Sequence, residues 1–395
     1  MSIEKIAPLK KDQINIAFYC SSVAYGGLEM NFVRYATWMK EAGWRVLIYC
    51  VNDTPIHRDA LQSQHEIVII QRNKKYFDLP NAWRVKNMFA SQNIDICWFR
   101  DTRDFSILGL VKRLSGKKFK LLYQQAMQFG VSKKDPFHTM RFSPVDAWVS
   151  TLDFLAQQVK TMTHFAHDRI HIIPLGVNIE NLQVEKNLKV QSREYFNLPQ
   201  DKKIIGIIGR LDPLKGQDVA IRAIHQLTQT GNDAHLLIVG ESTLHEGNSY
   251  ENKLHQLAEE LKVSDRVHFR PYNKEVFRFY HAIDIFALCS KGETFGTVTI
   301  EAMACNVPVV GTASSGTPEI LQYGKCGLLY EPGDHNMLAE KLRLLIEDPQ
   351  YANSLANAAS ERFHSEFSKE ISAKRMDILL QKLAGENVHY KNYQI

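Results

Sequence analysis

The chain has 395 residues, 45% hydrophobic and 23% charged, an ordinary globular balance that excludes a disordered or fibrous class. That length exceeds one ordinary core and implies two or three domains, two being the simplest reading. The net charge of +5 is uneven: residues 1–180 carry 24 Lys and Arg against 16 Asp and Glu, whereas residues 181–395 carry 24 against 27.

The basic excess gathers at Arg72–Lys75, Lys112–Arg113 and Lys117–Lys120, which read equally as a solvated face or as a surface for an anionic acceptor or a membrane. No run approaches the roughly 20 apolar residues of a membrane span, and Met1–Asp12 lacks the apolar stretch of a signal peptide. A cytoplasmic protein is therefore expected, with peripheral contact at the inner face of the membrane open to its basic half. The six cysteines stand singly in apolar segments without a CxxC pair, so buried thiols are expected rather than zinc ligands or disulfides.

Strand-like runs alternate with helical ones along the whole chain, the mark of parallel α/β layers. The run Ile14–Cys20 ends at a Gly-Gly turn and leads into Leu28–Glu41, whose Phe32, Tyr35, Ala36 and Met39 recur at helical spacing. Further strands are predicted at Arg45–Val51, Glu66–Ile70, Ile94–Phe99, Phe119–Gln124, Ala147–Ser150 and His171–Leu175. Pro174–Gly176 and the polar stretch Glu180–Arg193 then make a linker. The cycle restarts at Lys203–Gly209 and continues through His235–Gly240, Arg266–Phe269, Ile285–Cys289, Val307–Gly311 and Gly327–Tyr330. Asn336–Glu347 and Tyr351–Leu383 read as closing helices. The fold expected is two Rossmann-like doubly wound parallel sheets facing a cleft, with domains at 1–185 and 186–366 and a final helix at about 367–383 packing back on the first domain.

Four segments carry chemistry. Tyr25-Gly26-Gly27-Leu28-Glu29 joins a strand to a helix, where absent Cβ atoms let backbone N–H groups approach a phosphate; a plain tight turn is the simpler reading of the motif alone. The GxGxxG fingerprint of a dinucleotide dehydrogenase is missing. In Gly209-Arg210-Leu211-Asp212-Pro213-Leu214-Lys215-Gly216, two cations bracket a turn and suit a diphosphate, Arg210 as a fork and Lys215 as a point charge. The alternative is two solvated charges. In Glu293-Thr294-Phe295-Gly296-Thr297, a Gly-bearing loop opens a helix whose first turn offers N–H donors at Phe295–Thr297. Glu293 at its start and Glu301 two turns in can each accept from paired hydroxyls, as a sugar and a ribose present them, with helix capping as the plainer role of Glu293. Gly311–Glu319 reads mostly as helix-start chemistry, with Pro318 near the first turn.

The order GGxE, GRLDPxKG, E-x7-E and GTxxxGxPEI resembles the family 4 glycosyltransferases of GT-B fold across nearly the whole chain. The resemblance implies a retaining enzyme that moves a hexose-type sugar from a nucleotide-diphosphate sugar to a glycan or lipid-linked acceptor, with polysaccharide or lipopolysaccharide biosynthesis as the setting. It assigns the diphosphate to Arg210 and Lys215 with help from the Gly26 and Gly27 backbone. Glu293 falls to the transferred sugar, with Phe295, Gly296 and Thr297 beside it, and Glu301 to the ribose. The base falls near Arg270, Pro271 and Tyr272. Arg100, Asp101 and Arg103 are placed toward the acceptor. No cofactor or metal is expected, because two fixed cations and helix N-termini take up leaving-group charge, and no nucleic acid is expected among the partners. Relatives carry a His where this chain reads Gln125-Ala126-Met127; Ala126 is the matching position, and a methyl cannot hydrogen-bond a sugar. Gln125 and His138 are the candidate substitutes. The departure leaves open a catalytically silent nucleotide-sugar-binding protein, and a nucleotide-sugar epimerase of the same fold is the other alternative.

Overall fold

The computed structural model describes residues 10–24, 26–74, 76, 78–116, 118–179, 188–242, 249–272 and 275–385. Tyr25, Lys75, Lys117 and residues 180–187 of the expected linker lie outside them.

The first unit spans Met1–Pro174 with Ser372–Ile395. Its strands are β1 (Asn15–Cys20), β2 (Arg45–Val51), β3 (Glu66–Ile70), β4 (Ile94–Phe99), β5 (Lys120–Gln124), β6 (Ala147–Ser150) and β7 (Ile170–Ile172). They form one sheet in the order β3-β2-β1-β4-β5-β6-β7, and every pairing is parallel. The central strands are buried on both faces, which explains their unbroken apolar runs. An aromatic cluster holds one layer together, with Phe105, Tyr123, Phe142 and Trp148 in mutual ring contact.

The second unit, Leu175–Ile371, repeats the plan. Strands β8 (Lys203–Ile208), β9 (Ala234–Val239), β10 (Val267–Arg270), β11 (Ile285–Leu288), β12 (Val309–Thr312) and β13 (Leu328–Tyr330) lie in the order β10-β9-β8-β11-β12-β13, again all parallel. In each unit the strand order reverses next to the unit's first strand, between β1 and β4 and between β8 and β11. Loops leaving the carboxyl ends of those strands diverge there and open a crevice, the usual ligand position in such sheets. Three of the four motifs singled out in the sequence sit on the loops after β1, β8 and β11, and Gly311–Glu319 runs from the end of β12.

Three expectations are corrected. The boundary between the units falls at Pro174/Leu175, where the sequence reading put 185/186; Val177, which bridges to Ser368, goes with the second unit. The segment Tyr351–Leu383 is not one helix. It is a helix Pro349–Arg362, a π-helical turn Phe363–Phe367 and a second helix Lys369–Ala384, broken at Ser368 in an extended conformation. Val177 accompanies the break: its amide donates to the Phe367 carbonyl at 2.9 Å and its carbonyl accepts the Lys369 amide at 3.0 Å, in place of helical hydrogen bonds. Beyond the break, Asp377 takes Lys11 Nζ at 2.7 Å and Trp44 Nε1 at 2.6 Å, which fastens the last helix to the first sheet's unit. Finally, Lys112 is no part of an open basic patch. Its ammonium is buried against the Pro144 carbonyl, at 2.8 Å, and the Asp146 carboxylate. The cysteines are all free, five buried and Cys305 partly exposed.

Candidate functional site

In the second unit, β8 gives way at Gly209 to a turn organised by Asp212, whose side chain accepts the Leu214 amide at 2.8 Å and whose carbonyl accepts the Lys215 amide at 2.8 Å. Arg210 stands half-exposed on this turn, with one guanidinium nitrogen 3.1 Å from Asp212. Gly216 closes the turn at φ +70°, and a Cβ there would lie 2.2 Å from the Cys289 carbonyl oxygen. Only glycine fits, on conformational and steric grounds together. This close approach ties the loop after β8 to the end of β11, where the Lys291 amide also donates to the Leu214 carbonyl at 2.9 Å.

The consequence is the central contact of the unit: Lys215 Nζ meets Glu293 Oε2 at 2.7 Å, 78 residues away in sequence. Glu293 is further placed by Ser290 Oγ at 3.4 Å and by its carbonyl, which accepts the Gly316 amide at 3.0 Å. Its side chain caps nothing; the N-cap of the helix Thr297–Ala304 is Gly296, at φ +71° with no side-chain cap bond. The helix therefore begins at Thr297, so Phe295 and Gly296 belong to the preceding loop, and Phe295 is buried at a ring-centroid distance of 6.0 Å from Phe367. The Thr299 amide already donates to the Gly296 carbonyl at 2.9 Å, which leaves the Thr297 and Val298 amides as the open donors of this N-terminus, next to the loop that carries Glu293.

About one turn along this helix, Glu301 accepts the Tyr280 hydroxyl at 2.8 Å. Burial and the neighbouring Glu301 carboxylate push that phenol well above its ordinary range, so it stays a donor. Arg270 differs from expectation. Its guanidinium bonds the Phe196 and Phe269 carbonyls at 2.8 and 2.7 Å, which fixes the turn after Tyr195, and only Pro271 and Tyr272 remain exposed.

The first unit holds a second group of residues on the loops after β1 and β4. Gly26 and Gly27 begin the helix Gly27–Glu41, and a Cβ on Gly27 would meet nothing within 4 Å, so packing does not demand glycine there. Glu29 is buried, accepts Ser22 Oγ at 3.1 Å and feels the charge of buried Arg100; burial raises its carboxyl above the usual range. Deeper lies Asp104, fully buried, which takes Ser21 Oγ at 2.5 Å, the Ser21 amide at 3.2 Å and Asn73 Nδ2 at 2.7 Å. Burial lifts its carboxyl to about 7. Arg103 is half-buried beside Asp101, which caps its amide at 2.8 Å.

The two substitutes for the missing His are engaged elsewhere. The Gln125 carbonyl oxygen takes Trp148 Nε1 at 3.1 Å and Ser150 Oγ at 2.9 Å, and its amide nitrogen donates to the Met127 carbonyl at 3.0 Å. His138 pairs with Asp135 at 2.6 Å at the start of a short helix. Ala126 is partly buried between Gln125 and exposed Met127.

Known proteins match this arrangement in both halves. Residues 25–181 match the sequence model of Glycosyltransferase Family 4, and residues 189–362 match that of the Glycosyl transferases group 1. The chain belongs to the family 4 glycosyltransferases. It is 34% identical, over 54% of its length and 52% of the other's, to a D-inositol 3-phosphate glycosyltransferase of Corynebacterium jeikeium. It is 29% identical to a GDP-mannose-dependent alpha-(1-6)-phosphatidylinositol monomannoside mannosyltransferase of Mycolicibacterium smegmatis, over 70% of this chain and 74% of that one. Of two of the inositol-type relatives the chain spans only about half the length, 52% and 48%. A glycosyltransferase from Rickettsia africae superposes with a TM-score of 0.85 at 19% identity, over 95% of this chain and all of that one. Anabaena Alr3699/HepE, solved with UDP, superposes at 0.82 with 20% identity, over 93% of this chain and all of that one. The fold is thus the GT-B type of this family, two parallel-sheet α/β domains.

Within the family frame, the structure adds residues that the sequence did not single out. Asp212 shapes the cation loop, Ser290 and Tyr280 hold the two glutamates, and buried Gln217 reaches back to the Arg210 carbonyl at 2.9 Å. Asp212 lay inside a quoted motif and was legible as a turn former. Tyr280 gave no signal, because only tertiary packing brings its helix to Glu301. Among the described residues, no three His, Cys, Asp or Glu side chains gather as a metal-ligand set, and no helix is long and apolar enough to cross a membrane.

Proposed function

We propose that this family 4 protein is a retaining glycosyltransferase that transfers a hexose-type sugar from a nucleotide-diphosphate sugar to a glycan or lipid-linked acceptor, without a metal. The observation that carries the reading is the Lys215–Glu293 pair at 2.7 Å beside the helix N-terminus at Thr297. An ammonium has three donors and a carboxylate about four acceptor sites, so each partner keeps capacity after the pair has formed. Lys215 then faces a diphosphate while Glu293 takes sugar hydroxyls. The pair fixes both groups before substrate arrives, which lowers the reorganisation needed as charge develops on the departing phosphate. Arg210 adds a second cation, and Glu301, aimed by Tyr280, suits a ribose diol.

Relatives named for inositol-phosphate, phosphatidylinositol-mannoside and malate acceptors support a small polar or lipid-linked acceptor, and a structural neighbour named for lipopolysaccharide biosynthesis supports a cell-surface glycan. Retention follows from departure and attack on one face of the sugar, the phosphate oxygen taking the acceptor proton. Ala126 favours a slower enzyme or a silent binder as the second reading. Calorimetry with UDP, GDP, ADP and their sugar conjugates, with and without EDTA, tests the proposal. One nucleotide family is expected to bind insensitively to EDTA, with affinity lost in Arg210→Ala and Glu301→Ala. Binding unchanged in both variants overturns the donor site; binding without transfer or donor hydrolysis favours the silent binder.

A further inference from the structure

A cavity of about 290 Å³ opens in the first unit beside the loop after β4, between the helices Phe105–Leu114 and Pro136–Phe142 and the segment around Leu79. Its walls are mainly apolar, with Phe105, Ile107 and Leu110 inside and the exposed side chains of Leu79 and Met140 at its lip. Two polar groups break that lining. Arg141, only 8% exposed, gives one guanidinium nitrogen to the Thr102 carbonyl at 2.6 Å and has no partner for Nε. The Ser106 hydroxyl, also buried and lining the cavity, has no partner either. Arg113, bonded to the Met140 carbonyl at 2.7 Å, brings a second cation to the rim. The one carboxylate in the lining, Asp78, accepts the Lys74 amide at 3.1 Å.

A buried guanidinium without a carboxylate is costly, and beyond the Thr102 carbonyl the groups recorded around it are ring faces, Tyr76 and Phe105 at 5.7 Å and Phe137 at 5.8 Å. An anion at the cavity's polar end would complete both unpartnered groups, while the apolar walls need a chain to exclude water. We propose that this cavity is a binding site for an anionic amphiphile, its acidic head on Arg141, Ser106 and Arg113 and its alkyl chain between Phe105, Leu110 and Met140. The site belongs to the first unit alone and does not depend on the transferase reading. The same chemistry occurs in a free fatty acid and in an acidic lipid of a bilayer.

The test uses the full chain. Decyl phosphate and decyl maltoside, both below their micelle concentrations, are titrated by calorimetry, and flotation is measured with vesicles of phosphatidylglycerol and of phosphatidylcholine. Decyl phosphate is expected to bind at least tenfold more tightly than decyl maltoside. Ser106→Leu, which fills the cavity, and Arg113→Gln, at its rim, are each expected to weaken it tenfold or more while leaving the circular dichroism melting curve in place. Arg141→Met is a third variant, read only if it melts like the parent. Flotation with phosphatidylglycerol alone, lost in Ser106→Leu, assigns the bilayer lipid; decyl phosphate binding without flotation assigns a free amphiphile. Equal affinity for the two decyl compounds, or unchanged affinity in both Ser106→Leu and Arg113→Gln, overturns the site.

Discussion

Gly216→Ala is the sharpest perturbation of the candidate donor loop. Alanine in the left-handed region costs about 1–2 kcal/mol, and the new methyl would lie 2.2 Å from the Cys289 carbonyl oxygen and 3.0 Å from Cys289 Cβ. Neither contact involves the end of a flexible side chain, so the turn must withdraw from β11. Withdrawal breaks the hydrogen bond from the Lys291 amide to the Leu214 carbonyl, 2.9 Å in the parent, for about 1 kcal/mol more. The sum is roughly 3 kcal/mol, which for a unit of this size corresponds to a melting shift on the order of 6–12 °C. All five tryptophans, at positions 38, 44, 83, 98 and 148, lie in the first unit. Scanning calorimetry or far-ultraviolet circular dichroism therefore reads this change better than tryptophan emission. Because the same withdrawal carries Lys215 away from Glu293, nucleotide affinity is expected to fall at least tenfold even at temperatures where the variant is folded. A variant that melts within 2 °C of the parent (about 1 kcal/mol or less) and binds nucleotide normally would refute the argument that this glycine sets the site.

Three further outcomes follow from named contacts. Asp104, with its carboxyl lifted to about 7, holds a proton in the folded state that the unfolded chain has already released above about pH 4. Stability is therefore expected to fall as pH rises from about 4 to 7, by up to about 1.4 kcal/mol per unit from this group. Asp104→Asn removes that slope, and urea midpoints with the same pH dependence in parent and variant would count against it. Asp377→Ala unpairs Lys11 and Trp44 and is expected to cost about 1–3 kcal/mol, measured by chemical denaturation; a loss below 0.5 kcal/mol, the level of an ordinary surface change, would show that the last helix is held without it. Tyr280→Phe leaves the fold and removes the Tyr280 hydroxyl that Glu301 accepts at 2.8 Å, so the nucleotide dissociation constant is expected to rise several-fold while inorganic diphosphate, which lacks a ribose, binds as before. A matching loss for diphosphate would remove Glu301 from the ribose.

Much of the fold was written locally. The central strands β1, β4, β8 and β11 fall on apolar runs because parallel strands covered on both faces need continuous hydrophobicity, and Gly-bearing turns mark where β1, β8 and β11 hand over to their helices. The cation loop and the E-x7-E spacing were legible for the same reason: turn chemistry and helix periodicity act within a few residues. What sequence could not decide was which side chains are already engaged. Arg270, Gln125, His138 and Lys112 all carry chemistry suited to a ligand, and each is held by groups up to 74 residues away. The distant partners of Arg270, Gln125 and Lys112 are fixed by sheet order and helix packing, which no local pattern encodes, whereas His138 is taken by Asp135 three residues before it. The bridge at the Ser368 helix break has the same origin, since Val177 supplies it across nearly the full second unit. The meeting of Lys215 with Glu293 belongs to the tertiary structure as well: strand order sets β8 beside β11, and the missing Cβ of Gly216 lets their loops touch.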